Sequence, residues 1–129
     1  KITMLPLDVT HKTLVDRKFL SELRSSHKNS AMQAAKLLDF FERYDIQKYG
    51  SKGGPLHDPN VIVYLLDPEI YRGKIVNVEV EISSDLTRGM TVVDWWGVTD
   101  RPKNVHYINE VNSDAFFNLV LKNVLNLPK

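Results

Sequence analysis

With 129 residues, 43% of them apolar, the chain has the length of one ordinary domain and enough apolar side chains to bury a core. Seventeen Lys and Arg against 16 Asp and Glu leave a net charge of +1 with no basic run, which excludes an electrostatic footprint for nucleic acid or an anionic membrane. No stretch approaches 18 consecutive apolar residues, and the absence of cysteine excludes disulfides, thiolate metal sites and a cysteine nucleophile. The composition suits a reducing cytoplasm. A chain opening on Lys1 rather than methionine carries the expectation that something was removed or never included.

In chain order, Ile2 to Val9 is a short apolar run that suits a buried strand, with Pro6 marking its exit from the ladder. Asp8, Thr10 and His11 follow at its C-terminal end, the edge where open α/β sheets collect ligands; as turn caps they need no such role. Asp16 is placed to cap a helix carrying Phe19, Leu20 and Leu23. Ser30 with Gln33 reads as the capping box of a longer helix that runs to about Tyr49, where Gly50 stops it. Ala34, Leu37, Leu38, Phe41 and Tyr44 form its apolar stripe, and Phe41, Asp45 and Tyr49 share a face one turn apart.

Val61 to Leu66 is apolar nearly all round and predicts a short buried helix ending before Asp67. The period then changes. Lys74 to Ser83 alternates Val76, Val78, Val80 and Ile82 with polar residues, as a strand with one wet face does; Met90 to Trp96 and Val105 to Val111 read as two further strands of an antiparallel set. Trp95 and Trp96, adjacent in a strand, point to opposite faces, which fits packing better than a stacking platform for bases. Ser113 is read as the cap of a last amphipathic helix, with Phe116, Phe117, Val120, Leu121, Val124 and Leu125 docking on the sheet. No repeat or linker divides residues 1–129, so the chain is one domain or part of one.

The stretch that most resembles a built site is Gly53-Gly54-Pro55-Leu56-His57-Asp58-Pro59. Two glycines and a proline force an irregular turn and deliver an imidazole and a carboxylate side by side where a helix begins. Asp58 before Pro59 also fits an ordinary helix cap. Asp67-Pro68 is the internal control, an Asp-Pro start with no glycine pair and no histidine before it.

The ordered set Leu-Pro-Leu-Asp-Val-Thr-His (5–11), Tyr49-Gly50, Gly-Gly-Pro-Leu-His-Asp-Pro (53–59), Tyr-Leu-Leu-Asp-Pro (64–68) and Arg-Gly-Met-Thr-Val-Val-Asp (88–94) resembles the C-terminal portion of the inosine-uridine preferring nucleoside hydrolases. The resemblance covers essentially the whole chain. It implies the C-terminal part of an α/β open sheet with an antiparallel strand set and flanking helices. It implies hydrolysis of the N-glycosidic bond of a purine or pyrimidine ribonucleoside, as in nucleoside salvage, with bound Ca2+. By the same resemblance His57 is the catalytic group beside the departing base, Asp58 is a calcium ligand, and Phe41, Asp45 and Tyr49 form the base-side wall. Such roles suit the chemistry: a poor leaving group needs an acid, histidine donates near neutrality, and calcium takes carboxylate oxygen.

The family's N-terminal Asp-x-Asp-x-x-x-Asp-Asp cluster, which supplies most calcium ligands, has no counterpart in this sequence. Calcium wants six to eight oxygens, so the chain is expected to be inactive alone, a C-terminal fragment that contacts the missing N-terminal half or another copy along an open strand edge. The reading of a different class is a binding or assembly module that keeps the fold without the reaction. A His-Asp phosphohydrolase is disfavoured, because that chemistry sets its His-Asp pair on a helix and needs a further upstream histidine.

Overall fold

The computed structural model describes residues 1–50 and 53–127; the side chains of Tyr44, Asp45, Ile46, Lys48 and Tyr49 lie outside the described set. In chain order it runs β1 (Ile2–Met4), the one-turn helix α1 (Leu7–Thr10), α2 (Arg17–Ser25), α3 (Asn29–Tyr49), α4 (Pro59–Leu66), a single 3-10 turn (Pro68–Ile70), β2 (Tyr71–Val80), β3 (Thr91–Asp94), β4 (Val105–Val111) and α5 (Ser113–Asn126). The four strands make one open sheet in the order β1-β4-β2-β3, with β1 parallel to β4 and the other pairs antiparallel. The α/β architecture with an antiparallel set and flanking helices is therefore present.

Two boundaries fall where local chemistry says they should. Asp16 caps α2, its Oδ1 accepting from the Phe19 amide at 2.7 Å, and Gly50 follows α3 with φ +64. Elsewhere the caps differ from expectation. Ser30 donates to the Val124 carbonyl at 3.3 Å, tying α3 to α5, and lies inside the helix, which begins one residue earlier at Asn29. Asn112, one residue before Ser113, caps α5 through the Ala115 amide at 3.1 Å. The first strand is shorter than the apolar run: it stops at Met4, and Pro6 leads into α1 instead of ending a longer strand.

The core lies on both sides of this frame. Against α2 and α3 it holds Phe19, Leu20, Leu23, Ala31 and Ala35, and against the sheet it holds Val9, Val63, Tyr71, Ile108 and Phe116; Phe117 and Val120 of α5 touch both groups. Ala34 and Leu38 of the predicted stripe pack against this core, but its buried centre on α3 is formed by small Ala31 and Ala35. Leu37 and Phe41 lie on the neighbouring face and are exposed. The alternation in β2 is broken in the same way: Val76 and Val78 are buried, but so is Asn77, whose Nδ2 donates to the Pro102 carbonyl at 2.9 Å, while Val80 and Ile82 are exposed. The strand also begins earlier than its apolar pattern, at Tyr71.

Two further expectations are corrected. Helix α4 is buried on one face alone: Asn60 and Val63 are buried and Tyr64 packs edge-on against Tyr71, while Val61, Ile62, Leu65 and Leu66 face out. Strand β3 ends at Asp94, so the two tryptophans sit in the following turn: Trp95 packs on Tyr107 with ring centroids 5.9 Å apart, and Trp96 is 84% exposed. No described helix is long and apolar enough to cross a membrane.

Candidate functional site

Residues 53–56 run antiparallel against residues 13–15, which fixes where the following histidine and carboxylate lie. Val15 N donates to the Gly54 carbonyl and Leu56 N to the Thr13 carbonyl, both at 3.0 Å, and Leu14 bridges Pro55. Gly53 has φ +145, and a Cβ there would sit 2.2 Å from the Val15 carbonyl oxygen, so only glycine permits this approach.

Behind the turn runs a buried chain of hydrogen bonds. The Tyr71 hydroxyl donates to Asn60 Oδ1 at 3.0 Å, Asn60 Nδ2 donates to Thr13 Oγ1 at 2.8 Å, and Thr13 Oγ1 donates to the Thr10 carbonyl at 2.8 Å. Asn60 and Thr13 are wholly buried, which a polar group tolerates only when bonded in this way. Burial also pushes the Tyr71 hydroxyl well above its ordinary pKa, keeping it a neutral donor. Thr10 Oγ1 in turn lies 2.8 Å from His57 Nδ1. The α1 turn that carries Thr10 is anchored to β4 by Tyr107, whose hydroxyl donates to Asp8 Oδ2 at 2.6 Å, and by Lys12 Nζ, which donates to the Asn109 carbonyl at 2.7 Å. Burial, and then the bond to Asp8 and its charge, push the Tyr107 hydroxyl up as well.

His57 is half-buried, with the His11 ring beside it at 5.3 Å between centroids. Asp58 occupies the N-cap position of α4 but does not cap it. Its backbone is helical, φ −64 and ψ −40, rather than extended, and its side chain accepts no cap hydrogen bond. Asp67 contrasts with it: its carboxylate accepts from the Glu69 amide, as the control predicted. The capping account of Asp58 thus fails on its own geometry, and its carboxylate is exposed.

His57 and Asp58 line an open cavity of about 240 Å3 together with Leu37, Leu38, Phe41 and Pro55. The structure therefore brings together Phe41, His57 and Asp58 of the predicted site, whereas the side chains of Asp45 and Tyr49 lie outside the described residues. Residues that sequence reasoning did not single out are Thr13, Asn60, Tyr71 and Tyr107. Asn60 carried a usable signal, as the one amide opening an otherwise apolar helix; the others depend on pairings across the fold.

The arrangement defines an α/β open-sheet unit in which a glycine-hinged turn presents an imidazole and an uncommitted carboxylate to an apolar-walled cavity. The sequence profile of the inosine-uridine preferring nucleoside hydrolases matches residues 1–118, and the chain belongs to that family. It is 38% identical over 126 residues to the pyrimidine-specific ribonucleoside hydrolase RihA of Photobacterium profundum, covering 97% of this chain and 41% of the relative. It is 40% identical over 127 residues to an uncharacterized protein of Schizosaccharomyces pombe, covering 98% and 41%. The solved purine-preferring ribonucleoside hydrolase from Gardnerella vaginalis superposes with a TM-score of 0.80 at 27% identity, over 95% of this chain and 39% of that one. The chain thus spans about 40% of the length of the relatives it matches.

Proposed function

We propose that this chain forms the leaving-group side of a calcium-dependent ribonucleoside hydrolase site, which cleaves the N-glycosidic bond to ribose and free base. The observation that carries the reading is the free state of Asp58 beside His57: a carboxylate that ordinary helix chemistry would employ as a cap is left uncommitted next to an imidazole, on a cavity walled by Phe41 and Leu37. The family membership and the names of its relatives support the reaction class. Those names include both a pyrimidine-specific and a purine-preferring enzyme, so the base is left as either.

In this reading Phe41 and Leu37 offer apolar contact to a planar base, and the family resemblance assigns Asp45 and Tyr49 to the base side as well. His57 holds an N–H toward the base as the C1′–N bond breaks and negative charge gathers on the leaving nitrogen heterocycle. Calcium, when bound, would supply an activated and oriented water. Asp58 would give it one oxygen. Six to eight are needed, and among the described residues no three His, Asp or Glu side chains gather beside it. The remaining ligands would come from another polypeptide segment docked along the open β1 edge. A place in nucleoside salvage within the cytoplasm follows from the same reading.

The test is an assay of inosine and uridine hydrolysis by the chain alone and by the chain combined with a family segment bearing the aspartate cluster. Activity only in the combination is expected. There, His57→Ala should lower turnover on the order of 100-fold or more for natural nucleosides and far less for an activated aryl riboside. Equal losses would remove the acid role. No activity in either arm would favour a binding module that keeps the fold without the reaction.

A further inference from the structure

Resting on the assignment of His57 to the leaving base, the geometry points to Thr10 as a positioning residue: its hydroxyl fixes the tautomer of His57, so that Nε2 of the neutral ring presents an N–H. Neutral imidazole carries its proton on one nitrogen only, and the partner of the other nitrogen decides which. Here that partner is Thr10 Oγ1, 2.8 Å from Nδ1. A hydroxyl can donate or accept, so the distance alone leaves both tautomers open; its surroundings decide. Thr10 is 3% exposed, and among the described residues its hydroxyl has no other hydrogen-bond partner. A buried hydroxyl hydrogen without an acceptor is costly, and Nδ1 is the acceptor within reach. The hydroxyl therefore donates to Nδ1, and the ring proton resides on Nε2.

The alternative Nδ1–H tautomer would turn the Thr10 hydroxyl into an acceptor and leave its hydrogen unbonded. A carboxylate in the place of Thr10 would add a charge to the site; the hydroxyl holds the ring without one. Its position is itself fixed, because the α1 turn is tied to β4 through Asp8 and Tyr107 and to residues 56 and 60 through Thr13. The other titratable neighbours are Asp58, next in sequence, and His11, whose ring stands tilted by 48° to that of His57.

The experiment is ring-nitrogen NMR of the 129-residue chain with 15N-labelled histidine, followed to a pH at which the imidazoles are neutral. His57→Asn identifies the His57 signals among the four histidines. The expected wild-type spectrum has a pyridine-type shift on Nδ1 and a pyrrole-type shift on Nε2. Thr10→Ser should retain that pattern, and Thr10→Val should lose it, both shifts moving toward the exchange-averaged values of free imidazole. A pyrrole-type Nδ1 in the wild type, or a Thr10→Val spectrum unchanged from wild type, would overturn the inference. Should Thr10→Val fail to fold, by its amide spectrum, the wild-type and Thr10→Ser patterns decide the matter. No nucleoside is present, so the outcome is separate from the leaving-group reading. A fixed Nε2–H together with equal turnover losses in His57→Ala for natural and activated substrates would keep this inference and discard that one.

Discussion

A carboxylate caps a helix when its own residue is extended, because only then does the side chain curl over the first free amides. Asp16, at φ −103 and ψ 170, meets that condition and bonds the Phe19 amide; Asp58, at φ −64 and ψ −40, does not. The difference predicts opposite outcomes for two similar substitutions. Asp16→Ala should lower the unfolding free energy by about 1 kcal/mol. Asp58→Asn should leave it within about 0.5 kcal/mol of wild type and, on the proposed calcium role, weaken calcium binding by the combined segments, because an amide oxygen replaces a charged one. Urea unfolding of the two variants checks the first half, and calcium titration of the combined segments checks the second. A loss of stability in Asp58→Asn equal to that in Asp16→Ala would restore Asp58 to a capping role. Residue types and their order pointed to His57 and Asp58, because glycine, proline and Asp-Pro are local signals. Thr13 was not legible, and of Asn60 only its oddity in an apolar helix was: what makes each matter is a buried partner 43 or more positions away, and one chain read in order carries no trace of such pairings.

At the scale of elements, two turns hold their shape by different means. The 53–56 turn depends on backbone contact. Gly53→Ala would force a methyl group against the Val15 carbonyl in a left-handed conformation, at a cost of about 1–3 kcal/mol. Thermal unfolding gives the size, and loss of the His57–Thr10 contact should accompany it, seen as movement of the His57 ring signals. The turn after β3 depends on charge. Asp94 accepts from the Thr99 hydroxyl at 2.6 Å and from the amides of Thr99 and Val98, both at 2.9 Å. Those bonds, that from the Thr99 hydroxyl first, lower its pKa to about 2. Because the folded value lies below the unfolded value of about 3.9, the turn's contribution is complete above pH 4 and fades as pH falls toward 2. The Thr99 amide shift should accordingly stay constant from pH 7 to 4 and move with a midpoint near 2; a midpoint near 4 would show that the bonds do not hold the charge. Strand β4 and the extent of α3 were readable because their patterns are long and uniform. The buried faces were only partly so: Ala34 and Leu38 pack as their spacing suggests, but Ala31 and Ala35 are the buried residues beside them, and Asn77 is held inside by the Pro102 carbonyl, a partner distant in sequence.

Across the whole molecule, the apolar surface that the sequence pattern assigned to a core is divided between inside and outside. Helix α4 shows this most plainly: its sequence has the composition of a buried helix, yet Ile62, Leu65 and Leu66 face solvent, Leu65 with 73% of its surface free. Leu37 and Phe40 of α3 and Leu86 and Trp96 around β3 are exposed as well. The charge balance of +1 offers little long-range repulsion to keep copies apart. Large apolar exposure with near-zero net charge favours association, so the chain is expected to sediment heavier than a monomer as its concentration is raised into the tens of micromolar. Ile62→Lys combined with Leu65→Glu should shift that association to higher concentration. Both side chains already face water, so unfolding free energy should change by no more than about 0.5 kcal/mol per site. A monomer at every concentration would mean that the exposed residues are too scattered to form a patch. A large loss of stability in the double variant would place the α4 face inside the fold and overturn the reading of it as an outer surface.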